Sequence, residues 1–366
     1  MATKSNQYHP ESVSHPGETL REKLEELNMG SKEFAVRTGK PEKTISLVLN
    51  GESSITPDMA VLFENVLKIP AHFWIRRQNL YNEGVARIKR KEAILEAQPW
   101  AKSFPYAAMA NKGWVPKTLK IEEKVLNLFT FFGVATYKAW ESYYLEAKLK
   151  IGFRISLAHT NNSYAISAWL RHGEIAAGQM EVAPYSKAKL EKTLPMLRNL
   201  MAHQPSDFFT QLQKICAGSG VKVVYSPGLP KAPISGATRW LGDVPLVQLT
   251  GRYKRNDIFW FTFFHELGHI LKHGKKYISL EKVQYQEKDL DNEKEADAFA
   301  VEWTFSEKQE AEVLENEELN TDIVMAYAKK FNTHPAMIIG RLQRNKMLLH
   351  YQAHEFFEKI NLEEVG

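Results

Sequence analysis

The chain has 366 residues, of which 44% are hydrophobic and 25% are charged, and its formal net charge is +5. These proportions are typical of a globular protein, and the single cysteine, Cys216, excludes an intramolecular disulfide. No stretch reaches the roughly 20 apolar residues of a membrane span, and the N-terminal segment has no apolar signal-peptide core, so we predict a cytoplasmic protein without membrane contacts.

The N-terminal part of the sequence predicts a tail followed by a helical bundle. Residues 1–16 are polar and contain two prolines and two histidines, which favours a flexible tail. Residues 17–83 divide into five short amphipathic segments separated by turn residues. Within them, SKEFAVRTGKPEKTISLVLNG has the pattern of a helix-turn-helix. In this pattern Gly39 makes the turn, and Ile45 and Val48 face the core.

The second helix of this pattern presents polar side chains of the kind that read base edges in a major groove. The predicted DNA-binding residues are Lys32, Lys40, Lys43, Thr44, Ser46 and Asn50. Residues 17–82 carry nine Lys and Arg against nine Asp and Glu, so tight binding to duplex DNA requires a polarised charge distribution. A protein-docking module of the same fold therefore stays open. As a DNA-binding domain, it is expected to work as a homodimer on two half-sites.

The remainder of the chain predicts a linker, a helical region and a mixed domain. Residues 84–117 contain prolines and turn residues and are predicted to be a linker, and residues 118–215 are predicted to be a helical middle region. From residue 216 to 366, short β-branched segments precede further helices. The fold class is therefore mainly α with a small β-sheet (α+β). The segment VQLT, Val247 to Thr250, alternates apolar and polar residues, which predicts a half-exposed edge strand that could hold an extended peptide; the alternative is an internal strand.

The segment FWFTFFHELGHILKHG contains the pattern H-E-x-x-H. On a helix, His265 and His269 lie one turn apart on one face, so both imidazoles can bind one cation. Glu266 lies about 100° around the helix and can reach a water on that metal as general base. The aromatic residues before the motif seat the helix and keep the site dry. The alternative is a helix with two surface histidines.

A catalytic zinc site needs a third protein ligand, which the helical segment DNEKEADAFAVEWTF can supply. We predict Glu293, because Asp297 follows one turn later and can bind the other nitrogen of a ligand histidine. Glu295 is the competing candidate. His273 is predicted to end the helix near its negative pole rather than to bind the metal. The group that stabilises the oxyanion is not identified, and Arg239, Arg252 and Tyr253 are among its candidates.

These motifs carry two family resemblances. Residues 17–82 resemble the Xre-type helix-turn-helix domain and, within it, the HigA-type antitoxins, which implies duplex DNA and a toxin as partners. Residues 221–345 resemble the ImmA/IrrE metallopeptidases through FFHELGHILKHG, EKEADAFA and HPAMIIGRLQ. This likeness implies a zincin-like C-terminal domain in residues 216–366 and a bound Zn²⁺. It also implies that Glu266 is the general base and that His265, His269 and Glu293 are the ligands. Members of this family cleave helix-turn-helix repressors, but the segment VEWTFSEKQ departs from the family pattern after the second motif, so the substrate is not carried over.

The leading hypothesis is a DNA-binding transcriptional regulator, residues 17–83, fused to a zinc-dependent endopeptidase that cleaves a regulatory protein. The first alternative is an antitoxin-like repressor or sensor whose peptidase fold binds a ligand or partner without cutting. The second is a peptidase whose N-terminal domain docks a protein and does not bind DNA. The intact Glu266 favours cleavage, since a pure sensor has no need of a general base.

Overall fold

The computed structural model of the protein describes residues 13–148, 163–232, 234–276, 279–280, 287–316, 319–349, 353–360 and 362. The chain forms two compact units, Met1–Glu96 and Ala97–Gly366. It is mainly helical with a small sheet, which confirms the predicted fold class. In the part of the chain that the structure describes, no helix is long and apolar enough to cross a membrane.

The first unit is a helical bundle. Its helices are α1 (Pro16–Glu26), α2 (Ser31–Thr38), α3 (Glu42–Leu49), α4 (Pro57–Leu67) and α5 (Ala71–Glu96). Leu20, Phe34, Ile45, Phe63 and Trp74 are fully buried in its core. Each of these residues comes from a different helix, so the core connects all five.

The structure differs from the prediction at the C-terminal end of the tail and at the N-terminal end of the linker. Residues 1–12 lie outside the described residues, but His15 and Pro16 belong to the bundle. The His15 ring accepts a hydrogen bond from the Gly17 amide (2.9 Å) and caps α1. At the other end, α5 runs through the predicted boundary at residue 84, because ARIKRKEAILEA contains good helix formers and no proline. The two units divide at Glu96 instead.

The helix-turn-helix follows the predicted pattern. Gly39 has φ = 65°, a left-handed conformation that suits glycine, and it ends α2. Ile45 and Val48 on α3 are fully buried, as their spacing predicts. The opposite face of α3 therefore points away from the core.

The second unit begins with the helices of the predicted linker and middle region. They are α6 (Gln98–Lys102), α7 (Tyr106–Asn111), α8 (Ile121–Phe132), α9 (Tyr137–Trp140) with its π-helical continuation Glu141–Lys148, α10 (Ser163–Gly178), α11 (Lys187–His203) and α12 (Phe208–Gly218). Trp100, Phe104, Phe132 and Trp140 pack ring against ring, with successive centroids 5.0, 5.2 and 5.8 Å apart. This cluster holds α6, α8 and α9 together.

The small sheet orders its strands β1-β3-β2-β4. The strands are β1 (Lys222–Tyr225), β2 (Gly236–Leu241), β3 (Val244–Leu249) and β4 (Ser279–Leu280). Strand β3 pairs with β1 in parallel and with β2 antiparallel. The predicted free edge at Val247 to Thr250 is therefore wrong. The alternating pattern predicts that the polar residue Gln248 faces solvent. In the structure its side-chain amide is buried and donates to the Trp169 carbonyl (2.7 Å) and to Ser226 Oγ (2.9 Å).

Helix α10 is joined to this sheet by a buried polar network. Arg239 on β2 donates to Gln248 Oε1 (2.9 Å) and lies 3.3 Å from Glu174 Oε1 on α10. The Trp169 indole donates to the Ser226 carbonyl at 2.9 Å. The predicted middle region and the C-terminal region thus share one compact unit. Because Arg239 is buried in this network, it is not an oxyanion group at the metal motif.

The C-terminal helices surround the H-E-x-x-H motif. They are α13 (Asn256–Lys272), α14 (Glu287–Thr304), α15 (Glu307–Leu314), α16 (Thr321–Phe331) and α17 (Pro335–Arg344). Trp260, Phe263, Phe264 and Leu267 of α13 are fully buried in the main core. These aromatic and apolar residues seat α13, as the sequence predicts, and α14 packs along it.

Candidate metal centre

The two histidines of the motif face each other on α13. Their Nε2 atoms lie 3.0 Å apart, and His265 and His269 are only 4% and 1% exposed. Residues four apart share one face of a helix, so this pairing follows from the spacing alone. Both rings are aimed at the same point.

Helix α14 brings a carboxylate to the same point. Glu293 Oε2 lies 3.3 Å from His265 Nε2, and Glu293 Oε1 lies 3.4 Å from His269 Nε2. One ligand atom from each of the three residues lies within 4.8 Å of the others. Glu295 instead points to His273, with 3.2 Å between its Oε2 and His273 Nε2. The geometry thus selects Glu293 over Glu295 as the third potential ligand.

A glycine between the two histidines allows the helices to approach. A Cβ on Gly268 would lie 3.2 Å from Phe299 Cβ and 3.3 Å from Ala296 Cα. These contacts are tighter than ordinary van der Waals separations, and one of the atoms belongs to the α14 backbone. Gly268 therefore sets the helix separation at which the Glu293 carboxylate reaches the imidazoles.

Asp297 supports His265 from behind. Its Oδ1 lies 2.9 Å from His265 Nδ1, and with Nδ1–H as the donor the Nε2 atom faces the cluster, where a bound cation would replace its proton. Burial raises the pKa of Asp297, but the hydrogen bond with His265 and the nearby charges of His265 and Arg344 outweigh it and hold the pKa below its ordinary value. A negative charge thus stays next to this ring.

The carboxylates around His265 stabilise positive charge at its ring. Burial lowers the pKa of His265, yet its hydrogen bonds to Asp297 and Glu293 and the charge of Glu266 raise that pKa to about 10. Two imidazole nitrogens and one carboxylate are also the ligand set of zinc hydrolases, which keep a fourth position open. The residues therefore fit a zinc ion held by His265, His269 and Glu293.

His269 is supported by its own series of side-chain contacts. Its Nδ1 lies 3.0 Å from His273 Nδ1, and the far side of His273 contacts Glu295. His273 thus lies behind His269 rather than in the cluster. The sequence signal for this arrangement is the spacing of four between His269 and His273, which we interpreted only as a helix end.

Glu266 lies on the side of α13 that faces the sheet. It is fully buried, and the space beside its carboxylate is made by Gly236 of β2, where an added Cβ would lie 2.8 Å from Glu266 Oε1. Thr238 Oγ1 donates to the Glu266 carbonyl at 2.9 Å and fixes α13 to β2. Glu266 is outside the three-residue cluster, as its position on the helix predicts.

The six residues predicted to contact DNA lie on or beside α2 and α3. Lys32, Lys43 and Asn50 are exposed, whereas Lys40, Thr44 and Ser46 are half-buried. Val36 on α2 is an apolar side chain that is 77% exposed on the surface of the helix-turn-helix. The structure thus presents these polar side chains on the surface of the first unit.

Comparisons with known proteins match both ends of the chain. Residues 20–74 match the helix-turn-helix family, and residues 218–342 match the IrrE N-terminal-like domain of peptidase family M78. An uncharacterized HTH-type transcriptional regulator of Escherichia coli (strain K12), YddM, is 33% identical over 67 residues, which cover 18% of this chain and 71% of that protein.

Two solved structures resemble a part of the chain. A putative antidote protein of a plasmid maintenance system from Nostoc punctiforme is 31% identical and covers 22% of this chain and 88% of that one, with a TM-score of 0.22. An addiction module antidote protein of the HigA family from Coxiella burnetii is also 31% identical, covering 23% of this chain and 91% of that one, with a TM-score of 0.22.

Proposed function

We propose that this chain, which belongs to the helix-turn-helix transcriptional regulators and also carries an IrrE N-terminal-like domain, is a DNA-binding regulator with zinc-dependent endopeptidase activity. The convergence of His265, His269 and Glu293 on one point, with Glu266 on the same helix, carries this proposal. The substrate is a regulatory protein, for which a helix-turn-helix repressor is the first candidate.

The residues divide the chemistry of hydrolysis among them. His265, His269 and Glu293 would hold a zinc ion, which would polarise the scissile carbonyl and lower the pKa of a water toward about 7. Glu266 takes the proton of the attacking water and delivers it to the leaving amine. Asp297 keeps the His265 ring in the orientation and tautomer in which Nε2 faces the site. The buried aromatic residues of α13 exclude bulk water from that side of the site.

The N-terminal unit supplies the second activity. Helix α3 enters a major groove with Lys43, Thr44 and Ser46, and Lys32 binds phosphate. Two copies on half-sites about one helical turn apart make a dimeric operator complex. Because residues 17–82 have no net charge, the affinity of the helix-turn-helix for DNA depends on these few contacts and falls with rising salt.

Replacing the general base tests the peptidase. We expect Glu266→Gln to retain zinc and the fold but to lose proteolysis by about 10²–10⁴-fold, because glutamine has the same shape and cannot take the proton. The assay is co-expression with candidate helix-turn-helix proteins, followed by mass spectrometry of the fragments. Glu302→Gln, an exposed change on α14, is the matched control.

The outcomes separate the hypotheses. Cleavage by the wild type and by Glu302→Gln, with none by Glu266→Gln, supports the mechanism. Undiminished cleavage by a folded, zinc-loaded Glu266→Gln protein contradicts it. Zinc binding without any cleaved partner leaves the non-cutting sensor as the better hypothesis.

A further inference from the structure

A large cavity opens beside the metal cluster, between α13, α14 and α17. Its volume is about 880 Å³, and His265, Glu293 and Asp297 form part of its wall. Phe261 and Ile258 give it an apolar side, while α17 and the turn after it contribute Arg341, Arg344 and Lys346. A peptide held at the metal would therefore place neighbouring groups in this space.

Two of the arginines in the cavity wall, Arg255 and Arg341, are already hydrogen-bonded to carboxylates of the protein. Arg255 makes two hydrogen bonds to Asp257, at 2.9 and 2.8 Å. Arg341 donates to Glu310 at 2.6 Å and is largely buried. Arg344 differs, because its side chain is 61% exposed.

Arg344 is placed to receive an anion. Its Nη2 forms an exposed ion pair with Asp297 Oδ2 at 3.6 Å, and its guanidinium lies over the Phe261 ring, 5.0 Å from the centroid, which leaves the other N–H groups of the fork toward the cavity. The ring holds the guanidinium without using its donors, and five N–H groups in a planar fork match a carboxylate. Lys346 adds a second positive charge to the same wall.

We propose that this cavity binds a carboxylate of the peptide substrate, with the Arg344 guanidinium as its partner. The inference rests on the peptidase function proposed above. The carboxylate is either an Asp or Glu side chain near the cleaved bond or the C-terminal carboxylate of the peptide. Both fit the same fork, and both lie within a few atoms of a scissile carbonyl at the metal.

Binding of small zinc ligands tests the cavity without turnover. The probes are the monohydroxamates of succinic, glutaric and adipic acid, each paired with its terminal amide, titrated calorimetrically into the zinc-loaded full-length protein. We expect at least one carboxylate probe to bind about tenfold more tightly than its amide, because a hydrogen-bonded charge pair is lost in the amide. Arg344→Gln removes this preference and Arg344→Lys keeps part of it. Lys214→Gln, an exposed loss of the same charge elsewhere in the unit, leaves it unchanged.

A peptide library distinguishes the two sources of the carboxylate. Dependence of cleavage on an internal Asp or Glu in amidated peptides identifies the side chain, and a requirement for a free C-terminus identifies the terminal carboxylate. If the side chain is the source, we expect Arg344→Glu to cleave peptides with a Lys or Arg at that position in place of peptides with an Asp or Glu.

Equal binding of every acid and amide pair by the wild type overturns the inference, as does an unchanged preference in zinc-loaded Arg344→Gln. Cleavage without any carboxylate preference also overturns it and leaves the peptidase standing. A carboxylate preference in binding with no peptide cleaved contradicts the peptidase instead, and with it the identification of the ligand as a substrate.

Discussion

Removing the carboxylate behind His265 should weaken zinc binding without unfolding the protein. Asp297 Oδ1 accepts a hydrogen bond from His265 Nδ1 at 2.9 Å, and an outer partner of this kind is typically worth 10–100-fold in metal affinity. The Asp297 side chain is 44% exposed, so solvent offsets part of its charge. We therefore expect about tenfold weaker binding in Asp297→Asn, which keeps an acceptor, and a loss closer to 100-fold in Asp297→Ala.

The measurement is competition for zinc against a chromophoric chelator, with circular dichroism as a check on the fold. Asp291→Asn is the matched control, because Asp291 is exposed on the same helix and pairs with Lys294. His269→Ala, which loses a ligand, defines the lower limit of affinity. Wild-type affinity in both Asp297 variants would refute the supporting role of this residue.

Two further predictions concern the proposed general base, Glu266, and the half-buried His172. In Gly236→Ala the new Cβ would lie 2.6 Å from Thr262 Cγ2 and 2.8 Å from Glu266 Oε1. We expect this variant to retain zinc and to lose at least about tenfold in proteolysis, because Glu266 is displaced. Gly228→Ala is the control, since its new Cβ meets no atom within 4 Å, and it should cleave at the wild-type rate. Equal cleavage rates in the two variants would contradict this account. Burial lowers the pKa of His172 to about 4. The unfolded chain therefore takes up the proton first as the pH falls below about 6.5, and about 2 kcal/mol of stability is lost between pH 6.5 and 4. His172→Phe keeps an aromatic ring against Trp114, so its melting temperature, measured with chelator present, should fall less over this range, and parallel curves would exclude His172 as the source.

The parts of the site that could be predicted are those that depend on one helix at a time. The spacing of His265 and His269, and the repeat of Glu293 and Asp297 one turn apart, each define a helix face by themselves. The helix-turn-helix was predictable for the same reason, since Gly39 and the buried Ile45 act within a short segment. Local periodicity carries this information directly.

The missed features depend on long-range contacts. Gln248 reads as a surface residue because its partners, Trp169 and Ser226, are 79 and 22 residues away in the chain. Arg344 lies beside Asp297 only after α17 folds onto α13 and α14. A polar residue in a pattern cannot by itself reveal whether it faces water or a buried polar partner.

The contact at Gly268 has a consequence for how the protein responds to zinc depletion. At Gly268, α13 meets the Phe299 side chain and the Ala296 backbone of α14, and Phe263 and Phe264 are buried in the core, and none of these residues is a ligand. In zinc fingers the metal supplies the folding energy, and the apo chain unfolds. Here apolar packing supplies that energy, so we expect loss of the ion to stop catalysis and leave the scaffold intact. A peptidase of the proposed kind would therefore lose and regain its activity with the zinc supply, with no refolding step between the two states.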